Sequence, residues 1–128
     1  MSQDIYQVSL QGMAVERSRV EVATRNIANA NAVAGSAAEA YRAQVVIAPS
    51  FVEAMAGQPV QVLTTGPVKS EYQPEHPLAD SKGMVYRPDI DLAQQMLQLN
   101  MASRAYEANI RAFNSLREMN GKALEIGK

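Results

Sequence analysis

Residues 88–127 read PDIDLAQQMLQLNMASRAYEANIRAFNSLREMNGKALEIG, and this stretch decides the fold. Apolar side chains recur at Leu92, Met96, Leu99, Tyr106, Ile110 and Phe113, with only Ser103 breaking the steps of four and three. That spacing lines one face of an α-helix. A second seam runs beside it through Ala102, Ala105, Ala112, Leu116, Met119, Ala123 and Ile126, with Asn109 as its polar interruption. Together the two seams are wider than one partner helix requires. A helix of this length rises about 55 Å, and a compact domain of this size spans little more than half of that. The helix is therefore expected to pack on one helix of its own chain and on others from neighbouring chains. Asp89 or Asp91 is its expected N-cap, Asp91 having Gln94 three residues on. Gly127 is a natural stop, and Gly121 should weaken the last two turns by about 1 kcal/mol.

The N-terminal stretch answers it. Asp4 and Gln7 have capping-box spacing at the start of a helical pattern. Apolar residues then recur every seven at Tyr6, Met13, Val20 and Ile27, with Ala23 and Ala30 between them. So narrow a seam suits a coiled-coil helix. Arg17, Glu21 and Arg25 sit four apart along one flank. As a solvated ladder they are worth a few tenths of a kcal/mol per pair; as charges facing another subunit they would set register. Asn26, Asn29 and Asn31 follow, residues that end helices and bond local backbone. On residue type alone they are a frayed helix end.

The pattern changes in the middle. Tyr41, Ala43, Val45 and Ile47 alternate as in a short strand, and Val60, Val62 and Thr64 do so again. Thr65-Gly66-Pro67 is a turn signal, so Val68, Ser70 and Tyr72 are expected to return against that second strand. Pro74 and Pro77 break regular structure, Asp80-Ser81-Lys82-Gly83 is a turn, and Met84-Val85-Tyr86 is at most a short extended piece. This insert is too small and Pro-rich to hold much core alone. The expected fold class is mainly α: two long terminal helices forming a coiled-coil-like hairpin, with a small irregular β-rich insert between them. The expected divisions are an N-terminal axial helix over 1–33, the insert and Pro-rich connection over 34–88, and a C-terminal axial helix over 89–128.

Composition narrows the chemistry. The 128 residues are 47% hydrophobic but only 5% aromatic, so Ala, Val and Met must fill an adaptable interior. A net charge of −1 implies neither a polyanion nor an anionic membrane as partner, and no basic stripe with interleaved aromatics suggests nucleic acid. With no cysteine, disulfides and thiolate sites are excluded. No apolar run approaches the ~20 residues of a membrane span, and residues 1–6 lack the features of a cleaved signal peptide. Glu75, His76 and Asp80 are the one cluster that suggests acid–base or metal chemistry. They lie in a Pro-rich loop, the chain has a single His, and a metal site needs three or four supported ligands. A polar loop is the preferred reading, and no catalytic, metal or cofactor residue is expected. Met96, Met101 and Met119 read as core or interface filler.

Four segments, in order, carry a resemblance. Asn26-Ile27-Ala28-Asn29-Ala30 resembles the N-L-A-N signature of bacterial flagellar rod, hook and hook-associated axial proteins. Tyr41-Arg42 resembles the Tyr-(Arg/Lys) pair that follows it in that family. The stretch from Tyr72 to Asp91 is similar to the segment preceding the family's C-terminal helix. Ala102-x-Arg104-x-Tyr106-x-Ala108-Asn109 is similar to its A-x-R-x-Y-x-A-N motif. The short insert and the residues between Asn31 and Tyr41 place the likeness in the proximal rod, with the FlgC family first and its sister FlgB family second.

The resemblance implies a structural subunit exported unfolded by the flagellar type III apparatus, without a cleaved signal. It implies helical assembly in the basal-body rod, within the periplasm, with terminal helices forming the inner tube. Its implied partners are copies of itself, other rod proteins and the MS-ring/rod adaptor, with no nucleic acid and no small-molecule substrate. On this reading Met13, Val20, Ile27, Leu92, Met96, Leu99, Tyr106, Ile110, Phe113 and Leu116 are assembly seams. Two rivals stand beside it. A self-contained hairpin adaptor that binds one partner uses the same apolar periodicity. A small hydrolase would use His76 with Glu75 or Asp80.

Overall fold

The computed structural model describes residues 2–127, with side chains from Ile5 to Gly127. Two long helices flank a small β-rich insert, and about half of the chain is helical. Helix α1 runs Ser2–Ala28 and helix α3 runs Leu92–Ile126. Between them lie strand β1 (Gln44–Ile47), the short helix α2 (Phe51–Met55), and strands β2 (Gln61–Thr64), β3 (Val68–Tyr72) and β4 (Met84–Pro88).

The helix ends follow local chemistry. Asp91 is the N-cap of α3; its Oδ1 accepts from the Ala93 and Gln94 N–H groups at 3.1 and 3.3 Å. Gly127 ends α3 in a right-handed conformation, so the left-handed freedom of glycine is not used there. Helix α1 is already formed at Ser2, ahead of the expected Asp4 cap, whose side chain lies outside the described residues. Residues 29–31 turn the chain out of α1.

Helices α1 and α3 pack antiparallel. The Tyr6 ring meets Phe113 edge-on at 5.4 Å, Gly12 lies over Asn109, and Asn26 reaches Gln95. The inward side of α3 mixes its two sequence seams: Ala102 is buried, and Leu99, Tyr106, Asn109, Phe113 and Leu116 are half-buried. Small residues at the contact, with Val22 and Ala23 buried opposite Ala102, set a close approach.

The sheet pairing differs from expectation. β3 does not return against β2. Instead β2 pairs with β1 (Val45 opposite Leu63, Val46 opposite Val62), and β3 pairs with β4 (Val68 opposite Pro88, Tyr72 opposite Met84). The divergence falls at Gly66-Pro67. The Gly66 N–H bonds the Ala43 carbonyl at 3.0 Å in the first sheet, and the Pro67 carbonyl accepts from Asp89 N–H at 3.0 Å beside the second. A Cβ on Gly66 would lie 2.5 Å from the Ala43 nitrogen, so only glycine permits this crossing. β4, expected as at most a short extended piece, is a five-residue strand that also bridges Ala34 through two hydrogen bonds. Val85 within it is fully buried, and Pro88 nearly so. The insert therefore holds more of the core than its composition suggested.

Candidate functional site

Asn26 is the point where helix, insert and helix meet. Its side chain is 1% exposed and all four of its hydrogen-bonding positions are used. Nδ2 donates to the Gln44 carbonyl and to Gln95 Oε1, both at 3.0 Å. Oδ1 accepts from the Tyr41 hydroxyl at 2.7 Å and the Gln44 N–H at 2.9 Å. The amide thus ties α1 to the start of β1 and to the first turns of α3. This corrects the frayed-end reading of the Asn cluster, because a fully paired amide is buried without the usual penalty. Asn29 does act locally, donating to the Arg25 carbonyl at 2.8 Å. Burial raises the Tyr41 pKa, against the opposing pull of the Arg25 guanidinium. Arg25 itself bonds Gln44 Oε1 at 2.8 Å. The adjacent Arg42 holds the Gly66 carbonyl at 3.2 Å, fixing the end of the β1–β2 hairpin. Gln44, Gln95 and Gly66 carried no signal in the sequence that marked them as partners of the motif.

The remaining motif and seam residues divide between two surfaces. Tyr106 and Met13 line a shallow cleft with Leu10 and Arg17. Val20, Ile27, Leu99, Ile110, Phe113 and Leu116 are half-buried along the helix pair. Leu92 and Met96 are exposed, as are Ala28, Arg104 and Ala108. The Tyr6 hydroxyl, donating to the Leu116 carbonyl at 3.2 Å, anchors the N-terminal end of the pair. Arg17, Glu21 and Arg25 form the exposed ladder read from their spacing, with contacts of 3.3 and 3.9 Å. Helix α2 is a further element. Ser50 and Glu53 form a reciprocal capping box, a signal legible in the sequence but not used, and Gln11 Nε2 donates to the Ala54 carbonyl.

An apolar groove of about 530 Å³ opens between α1, β1 and α3. Val22, Ala23, Val46, Met101, Ala102 and Ala105 supply its apolar lining. On the outer surface the helices and the first hairpin present large apolar groups, including Leu97 (59% exposed), Met101 (61%) and Phe51 (68%).

The Glu75–His76–Asp80 loop is organised around its own backbone. Asp80 Oδ1 accepts from the Lys82 and Met84 N–H groups at 2.9 Å each, and Oδ2 accepts from the Tyr86 hydroxyl at 3.0 Å. The Met84 N–H bond leads in lowering the Asp80 pKa, and the bond to Asp80 raises that of Tyr86. His76 Nδ1 accepts from the Leu78 N–H at 3.0 Å. Among the described residues no three His, Cys, Asp or Glu side chains gather to hold a metal ion. This carboxylate shapes a turn that delivers β4.

Residues 81–126 match the protein family described as flagellar basal body rod FlgEFG protein C-terminal. Similarity to individual proteins extends further. The flagellar basal-body rod protein FlgC of Salmonella typhimurium is 35% identical over 98% of this chain and 97% of its own length. That of Escherichia coli O157:H7 is 34% identical with the same coverage, and that of Borreliella burgdorferi is 32% identical over 93% of each chain. The likeness thus runs through Asn26, Tyr41, the insert and α3 together, and the chain belongs to the FlgC family of flagellar basal-body rod proteins.

Proposed function

We propose that this protein is a structural, non-enzymatic subunit of the flagellar basal-body proximal rod. It assembles helically through its terminal helices into part of the drive shaft and of the export channel. The observation that carries this reading is the 35% identity extending over 98% of the chain. Surface area supports it. A compact monomer of 13.9 kDa exposes about 6,700 Å², whereas this chain exposes 8743 Å². The excess of roughly 2,000 Å² is of the order that specific interfaces bury. Much of it is apolar and lies on α3 and the β1–β2 hairpin, where neighbouring subunits would complete the burial.

In the assembled rod α1 and α3 form a coiled-coil hairpin, and Met13, Val20, Ile27, Leu92, Met96, Leu99, Tyr106, Ile110, Phe113 and Leu116 supply its seams to partners inside and outside the chain. The subunit travels through the flagellar type III export apparatus without a cleaved signal and meets the MS-ring/rod adaptor and other rod proteins in the periplasm. Among the described residues no helix is long and apolar enough to cross a membrane.

The test is genetic and biochemical together. Deleting the gene in its own bacterium should abolish motility, and restoring it should return the protein to purified basal bodies. Leu97→Asp, at a position 59% exposed in the single chain, should leave the monomer folded and block incorporation. A motile deletion strain with complete basal bodies would refute the proposal.

A further inference from the structure

Two apolar surfaces stand at opposite ends of the helix pair. At one end α3 runs past Ser2 from about Asn120 onward, as the contacts of Tyr6 with Phe113 and Leu116 require. There Met119, Leu124 and Ile126 are 67, 66 and 86% exposed. Met119, Ala123 and Ile126 fall on one helical strip. Glu118, Lys122 and Glu125 run along one side of the strip, and uncharged Asn120 and Leu124 along the other. At the opposite end is the groove between α1, β1 and α3, floored by Val22 and Ala102 with Met101 at its lip. One rim of the groove is charged, Glu16 paired with Arg19 at 2.8 Å. The other rim carries the neutral amides Gln94 and Gln98.

We propose that the groove receives the C-terminal turns of α3 from a second copy of the chain, head to tail. The charge pattern selects this occupant and its rotation. With the apolar strip facing the groove floor, the charged flank of the helix meets the charged rim, bringing Lys122 toward Glu16 and the flanking carboxylates toward Arg19. The uncharged flank then meets the amide rim. The methionine at the lip adapts to a rounded helix end without a preformed socket. Because the two contacting surfaces differ, the contact is heterologous and repeats as an open stack. This inference rests on the rod-subunit reading and adds which surface of one copy meets which surface of the next.

The chain has no cysteine, so introduced pairs report single contacts. Bacteria carrying one copy with Gln98→Cys and another with Ala123→Cys, both exposed positions, are oxidised and their basal bodies purified. A 98–123 disulfide dimer is expected. Its yield should exceed that of a Ser81→Cys and Ala123→Cys control by about tenfold. Adding Ile126→Asp to the tail copy should lower the yield by about tenfold to a hundredfold, the equilibrium equivalent of one buried aliphatic side chain. Lys122→Glu should lower it by roughly twofold to fivefold, and Glu16→Lys in the groove copy should restore it. Basal bodies that contain both copies but form the 98–123 pair no better than the control overturn groove docking and leave the rod reading standing. Basal bodies that lack the chain overturn both.

Discussion

Replacing Asn26 by alanine tests the structural core of this account. The substitution leaves four groups without their partner: the Tyr41 hydroxyl, the Gln44 N–H, the Gln44 carbonyl and Gln95 Oε1. Each hydrogen bond contributes about 1 kcal/mol net. Tyr41 and Gln44 are half-buried, so water can reach part of the vacated site. The expected loss is therefore about 3–4 kcal/mol, a large share of the ~5–15 kcal/mol typical of a whole domain. With a urea dependence of about 1–2 kcal/mol per molar, the unfolding midpoint should fall by about 2 M. Equilibrium urea unfolding followed by far-ultraviolet circular dichroism measures it. Tyr41→Phe removes a single donor and should cost about 1 kcal/mol. Asn26→Asp supplies an internal check of sign. Its carboxylate keeps both accepted bonds but faces two oxygens that the amide had served at 3.0 Å. The folded protein then favours the protonated acid, so the folded pKa lies above the unfolded value of about 3.9. Stability of that variant should fall as pH rises from the unfolded pKa through the folded one. An Asn26→Ala cost no greater than that of Tyr41→Phe would refute the reasoning, because it would mean that the four bonds do not act at one buried junction.

Glycine positions make opposite predictions. Gly83 has φ +78° and a Cβ there would lie 2.8 Å from Tyr72 Cε2, so Gly83→Ala should cost about 1–3 kcal/mol and lower the melting temperature. Gly121 sits inside α3 with nothing within 4 Å of its would-be Cβ, so Gly121→Ala should stabilise by about 1 kcal/mol in the same melt. Asp80, whose folded pKa is depressed chiefly by the Met84 N–H, contributes stability that is present above its unfolded pKa. That contribution is lost as pH falls from about 4 through the folded pKa, and Asp80→Asn should flatten the acid limb of a stability–pH curve. An unchanged acid limb would remove the turn-organising role of this carboxylate.

The two terminal helices were legible in the sequence because a period near 3.6 is a local property of each stretch. The Asp91 cap and the turn at Asp80 were legible for the same reason, since a side chain bonding N–H groups a few residues on involves only its own neighbourhood. The strands themselves were marked by alternation, but their partners were not. Val68–Tyr72 alternates equally well whether it pairs with β2 or β4, and the choice was made by close backbone approach at Gly66-Pro67. The role of Asn26 was hidden in a similar way. An asparagine near a helix end has the same local signature when it frays in water as when it is buried. Gln44 and Gln95 lie 18 and 69 residues away, and only folding brings them to its amide. The sequence by itself thus determined the helices, their caps, the absence of thiol chemistry and the family likeness. The tertiary structure alone decided strand pairing, which part of each apolar seam faces inward, and which motif residue joins the elements. The physical reason is that periodicity and capping are short-range and set by chain geometry. Pairing and burial depend on groups distant in sequence competing for the same partners.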